Sequence, residues 1–241
     1  AKSKRGVIYF SLEMPTRALT ARVLADVSYT HNAPVEYAAA LRGDVSDHDL
    51  RLLGEAAYRV ATMPLTIDDQ RGLTVAEIGA RVRKYQGELK RDGVELELVV
   101  VDHLGLIKPS ARYSGNRVHE ITELSDGLAT IARDTGAAVV ALSQLNRGVE
   151  ARDNKRPGLA DLRDSGSLEQ DADVVMFAFR PAYYLERTKC EDGSDAEFKR
   201  QSMLDASRNA MEAIVAKQRN GETGVVNLFA HMPSNAVRDA A

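Results

Sequence analysis

The chain alternates between short runs of apolar residues and longer segments in which apolar residues recur every three or four positions. The apolar runs at 6–10, 64–67, 96–101, 139–142 and 174–179 are rich in Val, Ile and Phe, which predicts buried strands. Between them, the spacing of apolar residues predicts helices at 16–28, 34–41, 47–61, 74–90 and 117–134. This alternation predicts an α/β fold with a mostly parallel sheet and helices on both faces.

The pattern changes in the last quarter of the chain. Residues 181–209 are polar and indicate an exposed insertion or a mobile helix. Two further apolar runs, at 212–216 and 225–229, flank a segment containing Asn220-Gly221, a pair typical of hairpin turns. We therefore expect residues 210–230 to form a C-terminal β-hairpin, within one domain that spans residues 1–241.

Composition limits the class of protein. A net charge of −3, from 32 basic and 35 acidic residues, does not indicate a broad basic surface, so any nucleic-acid contact must come from a local cluster. A single cysteine excludes an internal disulfide framework and suits a reducing compartment. No stretch has the roughly 18 apolar residues of a membrane span. We therefore expect a cytoplasmic protein without a membrane partner.

Three polar side chains stand where predicted strands end. Asp102 follows four consecutive apolar residues and can hold Mg²⁺ through its water shell, or it caps the turn. Glu13 can orient a water molecule for attack on a γ-phosphate, but a glutamate near a helix N-terminus also compensates the helix dipole. Gln144 can hydrogen-bond a phosphate oxygen and a moving loop, or it is a surface amide.

A long polar loop between the last two predicted strands carries several cations. Arg163 and the Asp164-Ser165-Gly166 turn can contact a phosphate backbone, with Lys155 and Arg156 nearby. The alternative is a solvated loop, which the neighbouring acidic residues favour. Any nucleic-acid contact here is therefore expected to be narrow and salt-sensitive.

A second pair of cations lies beside the predicted hairpin turn. Lys217 and Arg219 are two residues apart on an extended segment and therefore point the same way. They can reach a nucleotide bound to a neighbouring subunit, or they protect an edge strand from aggregation. His103 and Cys190 lack metal-ligand spacing to other residues and are interpreted as structural or incidental.

Together these segments closely resemble the C-terminal ATPase domain of the DnaB-type replicative helicases, which has a RecA-like fold. The matching stretches occur in the family's order and cover nearly the whole chain. They are FSLEMP (10–15), ALRGDVSDHDL (40–50), IDD (67–69), LVVVDHLGLI (98–107), NRVHEI (116–121), ALSQLNRGVEARDNKRPGLADLRDSGSLEQDADVV (141–175) and AKQRNGETG (216–224).

The resemblance implies ATP as substrate, Mg²⁺ as cofactor and a role for each matched residue. Glu13 is similar to the family's catalytic glutamate, Asp102 to its Mg²⁺-holding Walker B aspartate and Gln144 to its γ-phosphate-linked glutamine. Arg219 is similar to the arginine finger that acts across a subunit interface, with Lys217 beside it.

The resemblance also implies partners. Arg163, Asp164 and Gly166 match the loop that grips single-stranded DNA in the channel of a hexameric ring. A primase and a helicase loader are further partners of the family. The implied function is ATP hydrolysis coupled to translocation on single-stranded DNA and duplex unwinding.

The sequence departs from the family at several points. Tyrosine usually stands where this chain has His103, and glutamate where it has Asp164. No G-x-x-x-x-G-K-[ST] segment, the loop whose amides and lysine hold phosphates, occurs in the 241 residues. In the family that loop lies just upstream, beside a strand central to the sheet. We therefore expect a truncated helicase core that binds ATP weakly or not at all by itself.

Three functions remain open from the sequence. The first is the helicase motor, and the second is an ATPase-dead remnant that assembles into a ring or binds DNA. The missing phosphate loop favours the second for this chain alone. The third, another RecA-like ATPase such as a recombinase, is disfavoured by the SQLNR and KQRNG segments, which follow the helicase pattern.

Overall fold

The computed structural model describes residues 4–110, 115–162 and 166–240, and these contain eight strands and eight α-helices. In chain order they are β1 (Lys4–Ser11), α1 (Thr16–Ser28), α2 (Tyr37–Arg42), α3 (Asp47–Ala61), β2 (Leu65–Asp68), α4 (Val75–Arg91), β3 (Val94–Asp102), α5 (Arg117–Thr135), β4 (Ala138–Ala141), α6 (Gly166–Asp171), β5 (Val174–Phe179), α7 (Pro181–Leu185), α8 (Asp195–Ser207), β6 (Ala210–Gln218), β7 (Gly224–His231) and β8 (Ala236–Asp239). Short 3₁₀ turns lie between several of them.

A parallel sheet with the order β2-β1-β3-β4 carries the polar strand ends. Its register pairs Ser11 with Asp102 and Val101 with Ala141. Because parallel strands run in one direction, β1, β3 and β4 all end at the same edge. The sheet therefore brings the residues that follow these strands into one place.

Helices α4 and α5 cover one face of this sheet. Burial of each large side chain on that face contributes roughly 1.5–3 kcal/mol to folding. At Gly127 of α5, a Cβ would lie only 2.6 Å from a Val75 methyl group, so glycine permits the close approach of α5 to α4. The core cluster includes Ile8, Phe10, Val99 and Val101 from the strands and Ile78, Val82, Leu124, Leu128 and Ile131 from the helices.

The opposite face of the parallel sheet is more open. Val7, Tyr9 and Val100 on that face are half-buried, and Val140 on β4 is 48% exposed. Among the described residues, α4 and α5 make the main helical contacts with the sheet. The predicted α/β class, with a mostly parallel sheet and helices, is confirmed.

The C-terminal strands form a separate antiparallel sheet with the order β5-β6-β7-β8. Strands β6 and β7 form the predicted hairpin. Strand β8, which was not predicted, extends the sheet beyond this hairpin. The polar segment 181–209 is not irregular throughout, because it contains α7 and α8.

Most predicted element limits agree with the structure to within one or two residues, and α1, α3 and β5 agree fully. Helix α2 is the exception, because it begins at Tyr37, three residues later than predicted, after extended backbone at Glu36. Helices α3 and α4 begin with reciprocal capping boxes at Ser46 and Thr74, as expected for polar residues at helix starts.

Candidate active site

Glu13, Asp102 and Gln144 lie together at the carboxyl edge of the parallel sheet. Main-chain pairing continues past the strand ends, since the Leu12 N–H donates to the Asp102 carbonyl oxygen at 2.8 Å. The Leu104 N–H likewise donates to the carbonyl oxygen of Leu142 at 2.9 Å. The three polar residues predicted from strand ends are therefore neighbours on adjacent strands.

The main chain of Glu13 is held by residues that follow β2. The Arg71 guanidinium donates to the Glu13 carbonyl oxygen at 2.8 Å. Asp69 accepts a 2.7 Å hydrogen bond from the Thr16 N–H at the start of α1, and this bond lowers the pKa of the Asp69 carboxyl. The backbone between β1 and α1 is thus held at Glu13 and at Thr16, whereas the Glu13 side chain is 63% exposed and able to move.

Asp102 accepts a 2.8 Å hydrogen bond at Oδ2 from the Tyr9 hydroxyl on the neighbouring strand. Burial of Tyr9, and secondarily this bond, raise the pKa of the phenol far above its ordinary value. Oδ1 of Asp102 receives no hydrogen bond from the residues that the structure describes. A single carboxylate with an available oxygen fits Mg²⁺, which usually retains waters and phosphate ligands.

His103, which the sequence analysis interpreted as structural or incidental, lies between Gln144 and Glu13. Its Nε2 is 3.3 Å from the Gln144 amide nitrogen and 3.8 Å from Glu13 Oε2. Its Nδ1 accepts a 3.2 Å hydrogen bond from the Gly105 N–H. The sequence around His103 does not predict these contacts, because Gln144 and Glu13 approach it from the ends of other strands.

Lys217 and Arg219 do not join this cluster in the single chain. The Lys217 ammonium donates to the carbonyl oxygens of Glu169 and Gln170, at the carboxyl end of α6. The Arg219 guanidinium donates to Asp173 at 2.6 Å and to the Gln170 carbonyl oxygen at 3.3 Å. The two cations point the same way, as predicted, and contact the same segment.

The loop before α6 is organised around a buried carboxylate. Asp161, which is 6% exposed, accepts hydrogen bonds from Arg152 at 2.8 Å and from the Gly158 N–H at 2.9 Å. The predicted DNA contacts Arg163 and Asp164 lie outside the described residues. Gly166 is the first residue of α6.

The neighbouring cations of this loop have internal partners. Two guanidinium nitrogens of Arg156 bind Glu212 of β6, at 2.5 and 2.9 Å. Lys155 donates to the carbonyl oxygens of Glu150 and Arg152. These side chains therefore tie the loop to the rest of the fold.

A cleft of about 840 Å³ lies between the loop after β4 and the antiparallel sheet. Gln144 and Arg147 line it on one side, and Phe179, Arg180 and Tyr184 line it on the other. The Nε of Arg180 is buried and has no hydrogen-bond partner among the described residues. Sequence reasoning missed this cleft, because long-range packing rather than a motif forms it.

The described ranges lack two further features. No cluster of three or more His, Cys, Asp or Glu side chains could hold a metal ion by itself. No described helix combines the length and apolar character needed to cross a membrane.

The parallel sheet with a carboxylate at its polar edge, followed along the chain by a separate antiparallel sheet, is the arrangement of a RecA-like α/β protein. The DnaB-like helicase C-terminal domain family matches residues 1–237. The chain belongs to this family.

Individual relatives agree with this assignment. The replicative DNA helicase DnaB of Rickettsia bellii is 38% identical over 229 residues, covering 93% of this chain and 44% of that protein. The replicative DNA helicase DnaC of Bacillus subtilis is 37% identical over 228 residues, covering 94% and 44%. The chain thus spans less than half the length of these relatives.

Two solved structures are similar over nearly the whole chain. The first is described as an ATPase domain, with a TM-score of 0.80 and 30% identity, covering 98% of this chain and 75% of that one. The second, a DnaB-like replicative helicase studied for its interactions with primase, has the same TM-score and identity, covering 98% and 51%.

Proposed function

We propose that this chain is the core of a replicative DNA helicase, in which ATP hydrolysis drives translocation on single-stranded DNA and duplex unwinding. The observation that carries the proposal is the convergence of Glu13, Asp102 and Gln144 at one edge of adjacent parallel strands. Family membership supports the same activity. We further propose a hexameric ring that meets a primase and a helicase loader, as the resemblance implies.

Each residue has a distinct part in the proposed reaction. Asp102 holds Mg²⁺, which neutralises charge on the phosphates when bound. Glu13 orients the attacking water and accepts its proton, and Gln144 donates its amide N–H to the γ-phosphate. Arg219, with Lys217 beside it, stabilises the transferred phosphoryl group bound to a neighbouring subunit.

We propose that DNA binds through the loop containing Arg163, Asp164 and Gly166. This loop immediately precedes α6, whose other end contacts Lys217 and Arg219. A change at the subunit interface could therefore reach the DNA loop through one short helix.

The first experiment is equilibrium binding of a fluorescent ATP analogue with Mg²⁺, to this chain alone and to the chain extended by the phosphate-loop segment of the Bacillus subtilis relative. The proposal expects weak or no binding by the 241 residues and binding by the extended form, lost in Asp102→Ala. Glu13→Gln should abolish hydrolysis while binding persists, and the exposed residue Glu55 supplies the control Glu55→Gln. An extended chain that folds but neither binds nor hydrolyses ATP would refute the motor.

A mixing experiment tests action across subunits. Arg219→Ala and Glu13→Gln chains should each be inactive as extended proteins. Mixed rings contain interfaces that join an intact Glu13 to an intact Arg219, so activity should reappear. If mixing restores nothing, Arg219 does not act in trans.

A non-catalytic module that joins a ring or binds DNA is the second candidate. That function predicts assembly or DNA binding that is unaffected by Asp102→Ala and Glu13→Gln. Measuring both variants in the same binding assay separates the two candidates.

A further inference from the structure

We propose that His103 is a positioning residue that links Glu13 to Gln144 through a shared imidazole N–H. The inference rests on the proposed function, because it assigns a partner to two residues of that site. His103 is well placed for this role, since its side chain is only 12% exposed and stands between two more exposed side chains.

The hydrogen bond to Gly105 fixes which ring nitrogen carries the proton. A backbone N–H can only donate, so Nδ1 of His103, which accepts from Gly105 at 3.2 Å, is unprotonated in the neutral ring. The proton then lies on Nε2, the nitrogen that faces the catalytic cluster. His103 therefore offers one N–H to this cluster.

Two acceptors compete for that N–H. The Gln144 amide nitrogen lies 3.3 Å from Nε2. Because a protonated Nε2 cannot accept a hydrogen bond from that nitrogen, we assign the amide in the flipped orientation, in which its oxygen faces the ring and accepts the N–H. Glu13 Oε2 lies 3.8 Å from the same nitrogen, just beyond hydrogen-bond range. Because the Glu13 side chain is 63% exposed, a small rotation is enough to close that distance.

This geometry couples the two residues through one proton. When Gln144 turns toward a γ-phosphate, it releases the His103 N–H. The N–H then donates to the Glu13 carboxylate and holds it in the orientation needed to position water. The alignment of Glu13 thus depends on whether Gln144 has engaged the nucleotide.

Nitrogen NMR of the chain alone tests the bridge without any activity. The His103 ring should show the Nε2–H tautomer, with its signals assigned by their loss in His103→Asn. Gln144→Ala should shift the Nε2 resonance, whereas Gln201→Ala on α8 should not. An Nδ1–H tautomer, or an Nε2 signal that is insensitive to Gln144, would overturn the proposal.

Steady-state kinetics of the extended protein tests the consequence with two matched variants. His103→Asn retains an acceptor for Gly105 but loses the Nε2 donor, so kcat should fall about tenfold while KM for ATP changes less than about twofold. His103→Gln keeps an N–H near the Nε2 position and should retain most of kcat.

Equal losses in the two variants would show that His103 only supports the turn, and unchanged kinetics in both would also overturn the proposal. If the unmodified extended protein lacks ATPase activity, the motor function fails, while the tautomer and the Gln144 shift still decide whether the bridge exists.

Discussion

Tyr9 and Asp102 form a hydrogen bond that the sequence around either residue does not predict. The hydroxyl of Tyr9 reaches across from β1 to a carboxylate at the end of β3, and the sheet face that carries Tyr9 is otherwise half-open. The bond satisfies one oxygen of Asp102 and limits the rotation of its carboxylate. Tyr9 therefore orients the proposed Mg²⁺ ligand.

Replacing Tyr9 by Phe should lower the free energy of unfolding by about 1 kcal/mol near neutral pH, because a hydrogen bond to a partly buried carboxylate is lost. The folded-state pKa of Tyr9 is raised, so its stabilisation is fully present below the ordinary value of 10.0 and declines as pH rises above it. The difference between wild type and Tyr9→Phe should accordingly shrink in strongly alkaline buffer.

Chemical denaturation at neutral and alkaline pH measures this difference. Tyr58→Phe is the control, because Tyr58 is 77% exposed. A Tyr9→Phe deficit that stays constant or grows with alkaline pH would contradict the assigned bond.

Part of the site was predictable, because polar residues that follow parallel strands gather at one edge of the sheet. Glu13, Asp102 and Gln144 each follow an apolar run, and parallel strands place such residues at one edge whatever their distance in sequence. The contacts of His103 were not predicted, because they are made with two side chains that approach from the ends of neighbouring strands. Periodicity predicts which edge a residue reaches but not its orientation there.

For helices and strands too, local patterns were predictable from the sequence and long-range arrangement was not. Long periodic helices and Val-rich strands were predicted closely, because burial of one face requires their apolar pattern. Strand β8 was missed, since its four residues, AVRD, are too few to show a period. The division into two sheets also escaped prediction, because it depends on strand pairing over long sequence distances.

The carboxyl end of α6 should depend on Lys217 and Arg219. A six-residue helix has unsatisfied carbonyl groups at its end, and these two cations donate to them. We expect Lys217→Ala combined with Arg219→Ala to accelerate amide hydrogen exchange across α6 severalfold. Because Arg219 and Asp173 are both more than half exposed, global stability should fall by no more than about 1 kcal/mol.

Hydrogen exchange monitored by mass spectrometry resolves the local effect. Arg208→Ala on the end of α8 is the matched control, because this arginine pairs with Asp205 and not with α6. Unchanged protection of α6 in the double variant would show that the cations do not hold the helix.

At the scale of the whole molecule, Arg238 joins the antiparallel sheet to α1. Its guanidinium donates to the Asp26 carboxylate at 2.6 Å and to the Asp26 carbonyl oxygen at 2.7 Å, near the end of that helix. The same group lies 5.6 Å from the Tyr29 ring centre. One residue of β8 therefore makes three contacts with the N-terminal part of the chain.

Arg238→Ala should lower the free energy of unfolding by about 1–2 kcal/mol, since charge-assisted hydrogen bonds and a cation–π contact are lost together. Arg238→Lys should recover less than half of this, because an ammonium cannot donate in the same forked geometry. Denaturation curves of both variants test this, with Arg5→Ala, an exposed partner of Glu97, as the control. Full recovery by lysine would show that charge alone is responsible.

Two terminal strands of the sheets expose apolar side chains. In the described part of the chain, β4 and β5 are the terminal strands of their sheets. They carry apolar side chains with large exposed fractions: 48% for Val140, 52% for Val174 and 63% for Met176. Unpaired edges with apolar side chains promote association between strands.

We therefore expect the 241 residues alone to self-associate without a fixed stoichiometry as concentration rises. Val140→Lys with Met176→Lys should suppress this association, because charged edge residues oppose strand pairing. Light scattering over a concentration series measures the effect. The control is Leu50→Lys with Tyr58→Lys on α3, which removes exposed apolar groups that lie away from either edge. Suppression by the α3 pair but not by the strand pair would place the association on the helix surface. A defined hexamer in the unmodified chain would contradict the expected association without fixed stoichiometry.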